Sequence, residues 1–239
     1  MNRILIIAFM LMTISMAYAQ KETDTVHIPD ENFKRILLEN KKINTNRDKE
    51  ISYKEAQNYK GEIDVMKDEI KSLEGIEAFI NITMLDCAYN QLTSLDLSEN
   101  VHLERLHCPY NQLMNLDISK NIALKILNCF SNQLTSLDVS NNIALKELNC
   151  EDNIFTSLDI SKNIALEGLD CSSNQLIKLN LANGNNEKID YLIIDKNPNL
   201  KCIQIDKDFT PPAPKYFGNN WVREGWLKDE DAKYSDTCE

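Results

Sequence analysis

Seven cysteines and three histidines hold most of the reactive chemistry that this 239-residue chain can offer. Five of the cysteines, Cys87, Cys108, Cys129, Cys150 and Cys171, recur at a constant interval of 21 residues. Thiolates bind zinc by converging on it tetrahedrally, and a linear series does not converge. Neighbours in a strand stack lie about 4.8 Å apart with parallel side chains, which leaves their Cβ atoms beyond the roughly 3.8 Å of a disulfide. The spacing therefore predicts five reduced, buried thiols packing as small hydrophobes. His27, His102 and His107 fall in no H-E-x-x-H metal motif, and no serine sits in a G-x-S-x-G elbow. The expectation is a protein that is not an enzyme, with a hydrolase built on dispersed carboxylates as the remote alternative.

Oxygen donors gather in two places. Asn44, Asn46, Asp48, Ser52 and Glu55 stand at positions 1, 3, 5, 9 and 12 of a twelve-residue segment, with Glu50 at position 7 and Ile51 at position 8. That order is similar to an EF-hand calcium loop, although Asn44 replaces the first aspartate and Lys49 stands where glycine allows the sharp turn. The other reading is a capping box, Ser52-x-x-Glu55, opening a short helix after an Asn/Asp-rich turn. Calcium is the one cofactor this segment suggests; otherwise none is expected. The second group is a column, Asp96, Asp117, Asp138 and Asp159, each followed two residues later by a serine. Carboxylates stacked at strand spacing repel by roughly 0.8 kcal/mol per adjacent pair even at the dielectric of water. Hydrogen bonds from turn amides are the expected offset, with cation binding as the lesser option.

The scaffold that positions these residues is a repeat. One unit, Leu124-Lys-Ile-Leu127-Asn-Cys129-Phe-Ser-Asn132-Gln-Leu134, fits the leucine-rich-repeat consensus at every fixed position. A 22-residue unit starting at Ile63 carries Val65 in the cysteine position. A last one at Leu192 carries Ile194 there and follows a two-residue insertion around Gly184. Each turn is too short to bury its own apolar face, so about seven turns must stack and share a core. The alternation in Leu-x-Cys turns leucine and cysteine inward, and lateral pairing makes a parallel sheet. Asn90, Asn111, Asn132, Asn153 and Asn174 are expected to bond backbone groups where the chain turns.

The second half of each unit echoes the first, as in Leu134-Thr-Ser-Leu137-Asp-Val139-Ser-Asn-Asn142. This nesting resembles the IRREKO class of bacterial leucine-rich repeats, and Ile70-Lys-Ser-Leu73-Glu-Gly75-Ile76-Glu resembles an internalin-like first turn. The resemblance covers residues 63 to about 206 and implies a right-handed solenoid with few helices and a parallel sheet on its concave face. It implies no particular ligand.

Residues 1–19 carry Arg3, an apolar run from Ile4 to Met16 and Ala17-Tyr18-Ala19, which reads as a secretory signal peptide. The run is shorter than the roughly 20 residues of a membrane span, so no span is expected after cleavage. The predicted setting is secreted or at the cell envelope or surface, where Cys202 and Cys238 are expected to form a disulfide. The formal charge of −11 disfavours nucleic acid as a partner. Residues 20–62 are expected to form an N-terminal cap, with a helix starting at Pro29-Asp30. Residues 63–206 form the array, and residues 207–239 an irregular C-terminal cap sealed by Trp221 and Trp226.

The outward positions of the concave strands are unequal along the stack. Early turns gather Tyr89, Arg105, His107, Tyr110, Ile126 and Phe130; later ones carry Glu147, Glu151, Asp152 and Asp170. Exposed aromatic and arginine residues are what binding hot spots favour, so the first six are the candidate ligand-binding residues. The same rings could instead pack on one another as cross-strand pairs. The expected function is recognition of a protein, or of a glycan, with a self-associating envelope scaffold as the alternative.

Overall fold

The computed structural model describes residues 25–213, 215–217 and 221–238. The expected signal segment lies outside them, as does the side chain of Trp221. Each turn of the array contributes one three-residue strand to a long sheet, because Leu-x-Cys is extended and the stacked turns present it in register. The sheet runs β1 (Glu62–Asp64), β2 (Met84–Asp86), β3 (Arg105–His107), β4 (Ile126–Asn128), β5 (Glu147–Asn149), β7 (Gly168–Asp170) and β9 (Tyr191–Ile193). All of these pair in parallel. Leucines align with leucines, as Leu106 does with Leu127, and all five repeat cysteines are free and buried.

The second half-repeats pair only in the later turns. There β6 (Ser157–Asp159), β8 (Lys178–Asn180) and β10 (Cys202–Gln204) form a separate parallel sheet. The C-terminal cap extends both sheets: β12 (Trp221–Leu227) adds to β9, and β13 (Lys233–Ser235) adds to β10. A short antiparallel strand, β11 (Lys215–Phe217), closes the long sheet. Trp226 takes the register position of Leu192, is buried, and donates Nε1–H to the Ile189 carbonyl at 3.1 Å. Phe209 and Tyr234 pack on its ring. Cys202 and Cys238 form a disulfide with Cα atoms 5.9 Å apart. By restricting the unfolded chain, closure of a loop of this size stabilises by roughly 3 to 4 kcal/mol.

At the other end, α1 (Glu31–Glu39) buries Phe33 and Leu37 against the first turn. Asp30 caps it, accepting from the Asn32 and Phe33 amides, and its second oxygen accepts from Lys71 and Ser72 in the first turn. Burial opposes ionisation of Asp30, yet these four bonds together hold its carboxyl below the usual range. One carboxylate thus caps the helix and fastens the lid to the array.

Two asparagine ladders run through the stack. In the first, Asn111 donates to the Cys87 and Cys108 carbonyls at 2.9 and 3.2 Å and accepts from the Leu92 amide at 2.9 Å. Asn90, Asn132, Asn153 and Asn174 repeat the pattern. In the second, Asn121 donates to the Leu97 and Asn100 carbonyls, but its Oδ1 has no hydrogen-bond partner; the same holds for Asn100, Asn142 and Asn163. The insertion resolves this at Asn183, whose oxygen accepts from the Asn185 amide.

Candidate recognition surface

Two residues beyond each cysteine position the backbone turns through left-handed φ, at Lys67, Tyr89, Tyr110, Ser131, Asp152, Ser173 and Lys196. Such a conformation costs a non-glycine residue on the order of 1 kcal/mol, and it persists when surrounding bonds over-determine it. Here six of the amides donate to a carbonyl of the next turn, as Tyr89 does to that of Pro109 and Tyr110 to that of Phe130, and the last, Lys196, donates to the Asp229 carboxylate of the C-terminal cap. The backbone ladder, not side-chain preference, selects the turn. It also aims the side chain outward along one rim of the concave face.

On that rim the aromatic rings form a continuous stack. Tyr89 and Tyr110 lie with centroids 4.3 Å apart and planes 22° from parallel, and Tyr110 meets Phe130 edge-on at 4.9 Å. Lys67 places its ammonium 4.8 Å from the Tyr89 centroid. Tyr89 and Tyr110 remain 45% and 43% exposed, and Phe130 is half-buried. The two readings of these rings are therefore compatible: they pack on one another and still face solvent.

The other three candidates adjoin this rim. Arg105 and His107 point outward on β3 and Ile126 on β4, all half-buried, while Leu106 and Leu127 point into the core. Arg105 is held by Glu62 and by the Met84 sulfur two turns and one turn away. A fixed guanidinium loses less freedom on meeting a partner than a mobile one.

The far end of the same face differs. The Tyr191 ring lies where a side chain on Gly168 would stand, within 2.2 Å of the position its Cβ would take. Burial, with the nearby Glu147 and Asp170 charges, pushes its hydroxyl up to about 12. Burial also raises Asp170, and burial and the Asp170 charge raise Glu151. Tyr191 and Lys67 were not among the expected surface residues. The insertion before Tyr191 breaks the 21-residue phase, and Lys67 sits in the imperfect first unit.

The segment 44–55 closes on itself. Ser52 and Glu55 form both halves of the capping box at the start of α2 (Tyr53–Asn58). Glu55 also accepts from the Thr45 amide and hydroxyl and the Asn46 amide, and these bonds outweigh burial to lower its pKa. Asp48 accepts from Glu50 N–H and the Asn46 side chain, Glu50 pairs with Lys34 at 2.7 Å, and Asn44 donates to the Leu38 and Asp48 carbonyls. Among the described residues, no group of three or more His, Cys, Asp or Glu side chains is placed to share a metal ion. In the aspartate column, Asp96, Asp117, Asp138 and Asp159 each accept from the serine amide two residues on. Those bonds lower the pKa of Asp96 and Asp117; at Asp138 the Ser140 hydroxyl contributes most.

No family model matches the chain, and no curated protein matches it. Among solved structures it is similar to the functional domain of InlJ from Listeria monocytogenes, described as including a cysteine ladder. Identity there is 28% and the TM-score 0.62, over 78% of this chain and 48% of that one. It is also similar to internalin C2 from the same organism, at 20% identity and TM-score 0.60, over 75% of this chain and 87% of that one. The chain thus spans less than half of the InlJ domain. What the likenesses and the stacked geometry establish together is the fold: a leucine-rich-repeat solenoid of internalin-like architecture.

Proposed function

We propose that this chain is a secreted or cell-surface recognition module that binds a protein partner through the early turns of its concave face. The observation that carries this reading is the solvent-facing stack Lys67-Tyr89-Tyr110-Phe130. Rings already immobilised by their neighbours offer large amphipathic area at little entropic cost. The near-parallel Tyr89–Tyr110 pair covers ring faces and presents edges, which favours an irregular protein surface over a glycan that stacks on an open face. The leader-like residues 1–19 support export, and the half-repeat echo supports placement in the nested 21-residue class. Among the described residues no helix is long and apolar enough to cross a membrane. For residues 44–55 we favour the capping-box reading over a calcium loop, because Glu55 and Asp48 accept from amides of the same segment. We assign no catalysis, since the repeated carboxylates are engaged in turns.

The test is capture of a partner from bacterial-surface and host extracts, followed by titration of that partner against Tyr89→Ser/Tyr110→Ser/Phe130→Ser. Truncating such anchors is expected to weaken binding at least about a hundredfold. Undiminished affinity in a folded triple variant refutes the assignment.

A further inference from the structure

The later turns of the concave face carry carboxylates that the fold does not use. In the second half-repeats Asp96, Asp117, Asp138 and Asp159 each accept from a turn amide, and on the early concave strands Asp64 and Asp86 do the same for Met66 and Ala88. Past Phe130 the pattern changes. Among the described residues, the side chains of Glu147, Glu151 and Asp195 take part in no hydrogen bond or ion pair. Asp152 accepts from the Ser131 hydroxyl at 2.8 Å, and Asp170 from Ser172 of its own turn. Lys196 is the cation on this stretch of the rim, and it offsets only part of the burial and like-charge repulsion that raise Glu151 and Asp170.

Their layout indicates what neutralises them. They are spread over three successive turns, and among the described residues no three His, Cys, Asp or Glu side chains are placed to share a metal ion. Cations strung along a chain fit such a spread better than one ion does. The acids also begin where the aromatic stack stops. Phe130 and Glu151 each follow a ladder cysteine, so they occupy the same place in adjacent turns, about 4.8 Å apart. Tyr110 and Asp152 share the next place, two turns apart. An extended chain advances about 3.3 Å per residue and turns alternate side chains to one face, roughly 6.6 Å apart. Running along this rim, it passes from rings to carboxylates within two residues.

We propose that the concave face takes an extended polypeptide segment that is basic as well as apolar. An apolar side chain rests on Tyr110 and Phe130, and Lys or Arg side chains two and four residues later meet Glu151 and Asp152, then Asp195. The proposal rests on the early turns being a protein-binding surface. It adds that the later turns select the partner by charge, since an acidic or neutral segment leaves these carboxylates unpaired.

The probe is the capped peptide Phe-Thr-Lys-Thr-Lys, titrated into the full chain at physiological ionic strength and followed by NMR shifts of the backbone amides. It is expected to bind at least about tenfold tighter than Phe-Thr-Glu-Thr-Glu and than Ala-Thr-Lys-Thr-Lys. Glu147→Gln/Glu151→Gln/Asp195→Asn weakens it at least about tenfold and leaves melting intact. Asp96→Asn/Asp117→Asn/Asp138→Asn removes as many charges from the second half-repeats and leaves it unchanged, which sets aside net charge as the cause. No binding of the lysine peptide, no effect of the first charge variant, or equal loss in the second overturns the proposal, as does spermine binding as tightly as the peptide. Equal binding of the lysine and glutamate peptides, both lost in Tyr89→Ser/Tyr110→Ser/Phe130→Ser, overturns the charge assignment and keeps the early-turn reading. Lysine-peptide binding that the ring variant leaves untouched overturns the early-turn reading and the proposal with it.

Discussion

The two halves of each 21-residue unit start from nearly the same motif and reach different ends. The first half places cysteine inside, builds a continuous sheet along the array and satisfies both ends of its asparagine amide. The second half places Leu97, Ile118, Val139 or Ile160 at the matching position and forms a sheet only from Ser157 onward. In four turns it leaves its asparagine oxygen unpartnered. Outside, the contrast reverses. Second-half surface positions repeat as Asp-x-Ser and bond their own turns, whereas first-half positions change from turn to turn. The half with the tighter backbone is the half whose surface is free to vary, and rigid framing of variable side chains is what a recognition surface needs.

The largest effect that tests this contrast is alkaline. Burial pushes the Cys129 thiol up to about 12 and raises its four ladder neighbours as well. Unfolded thiols ionise near pH 8.5, so above that the unfolded chain sheds protons that the native chain keeps. The stabilisation is complete below about 8.5 and is lost as pH rises toward 12, by up to about 1.4 kcal/mol per pH unit for each thiol. Urea unfolding at pH 7.5 and 9.5 should show the loss. Cys129→Val should remove about one-fifth of it, and Val139→Cys should add a similar share. Equal pH slopes in all three proteins would mean the first-half interior is not dry.

Next in size is the ladder itself. Asn111→Ala strands the buried Leu92 amide and removes one of the two donors to each of the Cys87 and Cys108 carbonyls, which keep Asn90 and Asn132, for about 3 kcal/mol. Asn121→Ala removes donors to two carbonyls but also an oxygen that had no partner, and should cost about half as much. Equal costs would dissolve the distinction between the ladders. Smallest is Asp138→Ala on the exposed second-half surface, with a melting temperature shift of about 1 °C or less. Because its turn bonds lower the Asp138 pKa, that contribution is present at neutral pH and disappears as pH falls through the carboxylate range.

Much of this was legible because repetition multiplies weak signals. Five cysteines in phase announce a stack whose inward residues follow from alternation alone, and Pro29-Asp30 ahead of Phe33 and Leu37 marks the capped helix that closes it. The aromatic residues were readable as a group by column. Their stacking geometry was not, because Phe130 precedes the left-handed position that Tyr89 and Tyr110 occupy. Residues 44–55 show a different limit. An oxygen-rich spacing serves a cation or a set of backbone amides equally well, and only the folded turn reveals that Glu55 faces the amides. Gly168 and Tyr191 were hidden by the insertion that separates them.

The hydrogen bonds of each ladder asparagine reach back one turn and no further, as Asn111 does to Cys87 and Leu92. A turn can therefore be added or removed without altering the bonding of any other. Every such change moves the aromatic and acidic ends of the concave face apart or together by one strand spacing, about 4.8 Å. The array works as a ruler with discrete marks: gene duplication or deletion of whole units resets the distance between two docking points while leaving the chemistry of each intact.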